Sequence, residues 1–482
     1  MSRDDRQGGE RRRIEGWSLE RIAAATGGRI CGADAAQDRT PRSVCSDTRK
    51  LEAGELFVAL RGARFDGHDF LDEALEAGAV AALVDDESAL PEGLAGVVVD
   101  DTLDGLTELG HAVWEEAQSE GLHTIDVTGS NGKTTVKEML AALWGARGAV
   151  FATPGNLNNH IGVPLVLCDL PVDCEHLVLE MGANAPGEIA HLVSLAPGSE
   201  RIVTSIGTAH VEGFGSVDGI RRAKSEIFEK ADDETTAVVP HREVENLIDD
   251  DFPGRVVTVG FEPDADLRVE SRDASREHAQ VVQIEGAGGE WTIGLPLPGA
   301  HNALNVATSL ATLIVRGSAP DGRTCTEVLA DLTLPAGRWR ETTVGPWRVL
   351  DDAYNANPSS IRASFDAFMK TDDALDRPRV AVIGYMAELG DEAERYHREV
   401  AVDLAGASGL DALVAVGRHA ESMADAARRA APPDGPEVVA FERAEAAARW
   451  LEGQGEGFVF LKASREARLE RVVDFLTADG ED

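Results

Sequence analysis

The chain has 482 residues, 43% of them hydrophobic, which is enough apolar material for about three packed domains. Its formal net charge is −39, from 85 acidic and 46 basic residues, and only seven of the basic residues are lysine. Acids spread along the whole length argue against non-specific nucleic-acid binding, and no apolar run approaches the ~20 residues that cross a bilayer.

Residues 1–13 are charged and lack an apolar signal core, so they read as a flexible tail on a cytoplasmic protein. Residues 14–100 read as a small α/β domain. It has helices at 19–25 and 70–77 and strands at 55–60, 79–84 and 96–99. A helix at 102–118 opens a second unit, 101–337. There strands at 124–127, 176–180 and 201–204 alternate with helices at 216–230 and 301–315, the signature of a doubly wound, mostly parallel sheet. Short strands between 256 and 297 have no helices between them and read as an antiparallel appendage. After a turn at Pro335-Ala336-Gly337, residues 338–482 form a third, Rossmann-like α/β domain. Its strands fall at 347–351, 380–383, 412–416 and 458–461, its helices at 420–430 and 444–451, with a surface loop at 432–436. Cys31, Cys45, Cys168, Cys174 and Cys325 fit neither a disulfide framework nor a zinc site and read as buried thiols in a reducing compartment.

Thr128-Gly129-Ser130-Asn131-Gly132-Lys133-Thr134-Thr135 carries the chemistry. A strand, a glycine-rich turn and a helix start follow one another, which aims backbone N–H groups and a helix dipole at one spot suited to a triphosphate. Lys133 can reach the terminal phosphates and Thr134 can ligate magnesium, although Val127 stands where a first glycine is expected. Glu180 at one strand end and His210 beyond another could hold a metal beside that loop, and Asn156, Asn158 and Asn159 form an amide-rich loop at 153–164.

Together these residues resemble the Mur ligase family of ATP-dependent amide-forming enzymes, over about residues 14–475. That family's phosphate loop also lacks the first glycine. Ser46-Asp47-Thr48-Arg49, the run 54–62 and Phe65-Asp66-Gly67-His68-Asp69-Phe70 look like its uridine-nucleotide domain. Asp351-Asp352-Ala353-Tyr354-Asn355-Ala356-Asn357-Pro358 is similar to the version found in members that add a dipeptide.

The resemblance implies ATP and Mg²⁺ as cofactors, a UDP-linked muramoyl tripeptide and D-alanyl-D-alanine as partners, an acyl-phosphate route, and a monomer with no membrane insertion. Gly129 to Thr135, Asn302, Asn305, Arg338 and Asp352 would bind ATP. Thr134, Glu180, His210 and Lys224, the last as a carbamate, would hold metal, and Lys133, His210, Lys224 and Arg338 would act in catalysis. Ser46, Asp47, Arg49, Asp66, His68, Asn156, Asn158, Asn159, Tyr354, Asn355 and Asn357 would contact substrates.

For several of these a plainer role competes. Lys224 suits a helix-surface salt bridge, Asn302 and Asn305 suit helix capping, and a loop histidine such as His68 suits the surface. Three positions depart from the family pattern: Ser205 for asparagine, Tyr385 for aspartate and Ala463 for glycine. The last would be strained by ~1 kcal/mol if its φ were positive. They keep two other readings open, a ligase for another amine and an inactive nucleotide-binding relative.

A charge of −39 suits a high-salt cytoplasm that screens self-repulsion. The thermal midpoint is therefore expected to rise between low and molar salt; equal midpoints at both would remove the high-salt reading.

Overall fold

The computed structural model describes residues 11–32, 39–208, 211–273, 278–371 and 377–478. Its strands form three sheets of five, nine and six members. The first sheet runs Arg29–Cys31, Ala95–Val98, Ala81–Val84, Leu56–Val58, Val44–Cys45. All its pairings are parallel except that of Arg29–Cys31. Helix Leu19–Ala25 starts where the Ser18 hydroxyl accepts the Arg21 N–H, a standard N-cap.

Helix Thr102–Ser119 is capped by Asp101, whose carboxylate accepts the Leu103 and Asp104 N–H groups. Its buried stripe of Leu106, Leu109, Val113 and Ala117 packs into a core that also holds Leu83 and Val97 of the first sheet and Leu177 and Leu179 of the second. The first two units thus share one apolar core.

The nine-stranded sheet is parallel from Val150–Ala152 through His176–Glu180, His123–Thr128, Glu200–Val203 and Thr236–Pro240 to Arg255–Gly260. The region expected to be an antiparallel appendage is therefore a continuation of this sheet, and its first strand, Arg255–Gly260, is a parallel member. Only the last three strands, Leu267–Asp273, Gln280–Gly286 and Gly289–Leu295, pair antiparallel with one another. Burial explains the change. Residues 257–260 are buried without a break, as in a strand covered on both faces, whereas Leu267 and Val269, and Val282 and Ile284, alternate with less buried neighbours. The helix expected at 216–230 is shorter: Val217–Ser225 ends in a 3-10 turn, Glu226–Phe228, where the Glu226 carboxylate accepts the Gly187 and Ala190 N–H groups.

The third sheet runs Arg340–Val344, Trp347–Asp351, Gly457–Lys462, Arg379–Ile383, Ala412–Val416, Glu437–Phe441. Its two edge strands escaped the sequence pattern because neither is a buried apolar run: Arg340–Val344 is exposed and polar, and Glu437–Phe441 is half-buried. All five cysteines are free and buried, as expected. Among the described residues no helix is long and apolar enough to cross a membrane.

A polar cluster ties the amino-terminal ends of the central strands together. His123 Nε2 pairs with Glu200, Arg316 Nε donates to Glu200 Oε1 at 2.6 Å, and His123 Nδ1 lies 3.2 Å from His176 Nδ1. Burial alone would raise the Glu200 carboxyl; hydrogen bonds and charge from His123 and Arg316 outweigh it and hold it below its ordinary value. A depressed carboxyl contributes stability above its unfolded value of about 4.3 and loses it as pH falls through the folded value. Glu200→Gln is expected to cost about 3–5 kcal/mol at pH 7, with the gap to the parent chain closing in acid. Thermal unfolding of both forms from pH 7 to 3 measures it.

Candidate active site

The phosphate-loop candidate joins strand His123–Thr128 to helix Lys133–Gly145. Two of its glycines are required by geometry. Gly129 has φ 142°, and a Cβ there would lie 2.1 Å from Thr204 Oγ1; Gly132 has φ 86°, and a Cβ would meet Asn305 Oδ1 at 2.7 Å. Gly132 is also the N-cap, with no side chain over the first helical N–H groups, so these remain available to an anion.

The next strand end braces the loop. Ser130 N donates to Ser205 O at 2.8 Å, and Asn131 N to Ser205 Oγ at 3.0 Å. Thr204 Oγ1 and Ser205 Oγ both donate to Asn131 O, at 2.5 and 3.0 Å. The departure at Ser205 thus has a structural role here. Lys133 Nζ donates to Gly129 O at 2.7 Å, folded over the loop, and burial lowers its ammonium pKa.

Beside the loop, Thr134 Oγ1 donates to Glu180 Oε2 and Asn158 Nδ2 to Glu180 Oε1, both at 2.8 Å. Glu180 is buried. A hydroxyl and a carboxylate side by side are the hard oxygen donors that magnesium takes. Lys137, which the sequence did not single out, is buried below them and donates to Thr153 O at 2.8 Å, supporting the amide-rich loop. In that loop Asn156 and Asn159 are exposed, and Asn159 Oδ1 accepts the Gly162 N–H at 2.8 Å at the head of helix Gly162–Cys168.

Lys224 is 1% exposed, which removes the surface salt-bridge alternative. Burial, reinforced by the charge of Lys133, brings its pKa down to about 7, so a neutral amine is accessible at physiological pH. His210 lies outside the described residues. Asn302 and Asn305 are buried at the start of helix Ala300–Val315 but do not cap it. Asn302 Nδ2 donates to Pro298 O and Asn305 Nδ2 to Asn302 Oδ1, while Gly299 occupies the N-cap.

The third sheet closes over this surface. Asn357 caps helix Pro358–Lys370 through Oδ1, which accepts the Ser360 N–H, and its Nδ2 donates to Asn131 Oδ1 at 2.7 Å. Asn131 Nδ2 in turn donates to Ser359 Oγ at 3.0 Å. The cleft between the two units has a volume of about 310 Å³. Ser130 to Thr135, Asn302, Asn305, Arg338, Asp352, Tyr354, Asn355 and Asn357 line it together, so most of the nucleotide and third-domain candidates converge.

Among the lining residues that were not sequence candidates are His301 and Lys462. Lys462 is buried and pairs with Asp352 Oδ2 at 2.5 Å, while Ser364 Oγ donates to the same oxygen and Trp339 N to Oδ1. Only its position at a strand's carboxyl end marked it. Burial drives the His301 pKa down to about 4, so its ring is neutral. Arg338 stacks on Tyr354 at 4.5 Å, and Arg465 faces the same ring at 5.7 Å. Ala463 is not among the residues with positive φ, so the strain considered for it does not arise. Its Cβ instead takes the space left by Gly384, where a second Cβ would lie 2.6 Å away.

The N-terminal candidates gather elsewhere, on loops at the carboxyl ends of the first sheet's parallel strands, and do not line this cleft. Ser46 is half-buried. Asp47 holds Arg49 through two hydrogen bonds of 2.8 and 2.9 Å. His68 is buried rather than superficial: Nδ1 lies 2.7 Å from Asp66 Oδ1, Nε2 accepts the Asp85 N–H at 3.2 Å, and Asp66 also pairs with Arg61.

Three family descriptions match in succession. They are "Mur ligase family, catalytic domain" at 40–143, "Mur ligase middle domain" at 127–313 and "Mur ligase, glutamate ligase domain" at 337–465. A UDP-N-acetylmuramoyl-tripeptide–D-alanyl-D-alanine ligase of Bacillus subtilis is 34% identical over 439 residues, 89% of this chain and 92% of the relative. Its Escherichia coli namesake is 35% identical over 419 residues, 85% and 88% of the two chains. Among solved structures, MurF from Acinetobacter baumannii superposes with a TM-score of 0.83 at 30% identity, covering 95% of this chain and 98% of that one. MurF from Thermotoga maritima in complex with ADP gives 0.77 at 28% identity, covering 91% and 97%. A braced phosphate loop, a second α/β unit closed over it, and similarity running nearly end to end leave one conclusion: the chain belongs to the Mur ligase family.

Proposed function

We propose that this chain joins UDP-N-acetylmuramoyl-tripeptide to D-alanyl-D-alanine at the expense of ATP, a step of peptidoglycan precursor synthesis. One observation carries the reading: relatives bearing that name match over 88–92% of their own length at 34–35% identity, so the match takes in all three sheets rather than the ATP unit alone. Residues 14–100, 101–337 and 338–482 serve on this view as the uridine-substrate, ATP and dipeptide domains.

A carboxylate oxygen of the tripeptide attacks the γ-phosphorus, and the bond to ADP breaks. The dipeptide amine, having lost its ammonium proton, then attacks the acyl carbonyl. The tetrahedral intermediate gives up one proton of the attacking nitrogen to the departing phosphate and collapses by breaking the C–O bond to it, leaving an amide. The carboxylate and the triphosphate are both anionic, so neutralising charge and fixing geometry dominate the barrier. Lys133 and the free N–H groups after Gly132 would take the β- and γ-phosphates. Arg338, held on Tyr354, would approach them from the hinge, and Asn302 and Asn305 would meet the adenine. The Asp352–Lys462 pair lies on the cleft wall, where Asp352 would face the ribose. Asn355 and Asn357 would lie near the incoming amine. Ser46, Asp47, Arg49, Asp66 and His68 would receive the UDP moiety, the last two by holding their loop in shape, and Asn156, Asn158 and Asn159 the muramoyl end.

Magnesium, held by Thr134 and Glu180 and at a second position by His210 and a carbamate on Lys224, would supply further neutralisation of phosphate charge. The carbamate forms when the neutral Lys224 amine attacks carbon dioxide and releases a proton, and a buried lysine with a pKa brought to about 7 is suited to that reaction.

ADP release is expected only when tripeptide, ATP and D-alanyl-D-alanine are all present; release with another amine in its place would redirect the assignment. Lys133→Ala should lower turnover by about 10²–10³-fold with the fold intact. Gly129→Ala should abolish binding of a non-hydrolysable ATP analogue in calorimetry, because its Cβ and Thr204 cannot share the space. Lys224→Ala should be weak and partly recovered by added formate or acetate; absence of recovery at any concentration would leave a plain lysine at that position.

A further inference from the structure

The third sheet changes winding direction between two adjacent strands. The chain enters at Trp347–Asp351, passes over to Arg379–Ile383, runs outward to Glu437–Phe441, and returns as Gly457–Lys462 to fill the gap. Open α/β sheets take ligands in the crevice at the carboxyl ends of strands at such a reversal. Here the two strand ends are joined, with Gly384 N donating to Lys462 O at 2.9 Å and Ser464 N to Tyr385 O at 2.8 Å.

Tyr385 stands at that crevice in a stack. Its ring lies 5.4 Å from that of His397 at 12° and 5.9 Å from that of His419 at 26°, and the Arg418 guanidinium carbon sits 3.6 Å from its centroid. His397 is fixed in turn, with Nε2 accepting the Met386 N–H at 2.8 Å and Nδ1 2.6 Å from Ala393 O. Arg418 is exposed and has no ion-pair partner among the described residues, although the chain carries 85 acidic residues. Stacking uses the face of a guanidinium and leaves its N–H donors free at the edge, the arrangement that grips a carboxylate. A bare surface cation–π contact is the plainer reading, but the location and the loop beyond it point further.

From Tyr385 the chain crosses back toward the phosphate loop. Glu388 has a left-handed φ of 62°, and its carbonyl accepts the Glu212 N–H at 3.2 Å from the middle unit. Its charge is near enough to bear on Lys133. Two residues, Met386 and Ala387, separate the stack from Glu388, and a dipeptide spans about 7 Å.

We propose that Arg418, held flat on Tyr385, receives the free carboxylate of the incoming dipeptide and makes an unblocked C-terminus a requirement of the reaction. This rests on the amine substrate proposed above. Arg418 is the specificity-determining residue and Tyr385 positions it. The tyrosine face orients the Arg418 guanidinium and leaves its N–H edge open.

The test is steady-state ADP release by the full chain with D-alanyl-D-alanine and with its C-terminal amide. The parent chain should favour the free acid by roughly 10–100-fold in kcat/KM. Arg418→Gln should raise KM for the acid by a similar factor, with kcat and the KM for ATP within about threefold, and should level the acid-to-amide preference. Tyr385→Phe should behave as the parent, while Tyr385→Asp should resemble Arg418→Gln. Equal use of acid and amide by the parent, or an Arg418→Gln variant with unchanged KM and preference, would overturn this assignment alone. No ADP release with either form would instead overturn the substrate reading, and this assignment with it.

Discussion

The loop from Gly129 to Gly132 is braced on both sides, and the rest of the site is arranged around that fact. Two left-handed glycines bring its backbone against Thr204 on one side and Asn305 on the other, so that any Cβ would collide. Four hydrogen bonds to residues 204 and 205 then hold it. Rigid N–H donors are worth more to a developing phosphate charge than mobile ones, because no reorganisation is needed when charge arrives.

That loop is also where the outer unit meets the middle one. Asn131 is held from below by Ser205 and from above by Asn357 and Ser359, so one amide couples the ATP loop to the helix that starts the third domain's machinery. Charges on both sides of the cleft are then brought within range of Lys133: Glu180 from the middle sheet, Arg338 from the hinge and Glu388 from the third unit. A site completed by docking two units is suited to closing around its substrates before chemistry and excluding water from a reactive acyl phosphate.

Burial does chemical work at two cations. Lys224 would be an ordinary ammonium on a helix surface; enclosed, its pKa falls to about 7 and a neutral amine is accessible. Lys462 is enclosed as well but keeps a carboxylate partner in Asp352.

The amino-acid sequence alone determined much of this. Strand, glycine turn, Lys133 and Thr134 are contiguous, so the phosphate loop and its helix were legible from local spacing, as were helices such as Leu19–Ala25 and Ala420–Ala430 that carry a clear apolar period. What local pattern could not carry was pairing. Strand Arg255–Gly260 belongs to the parallel part of the central sheet because of what covers it, and the edge strands Arg340–Val344 and Glu437–Phe441 exist because neighbours supply their hydrogen bonds. The contacts of Lys462, Ser205 and Arg418 were likewise decided only by tertiary structure. Each depends on a partner more than 30 positions away in the chain, and neither a buried counter-charge nor an aromatic face can be read from the residues beside it.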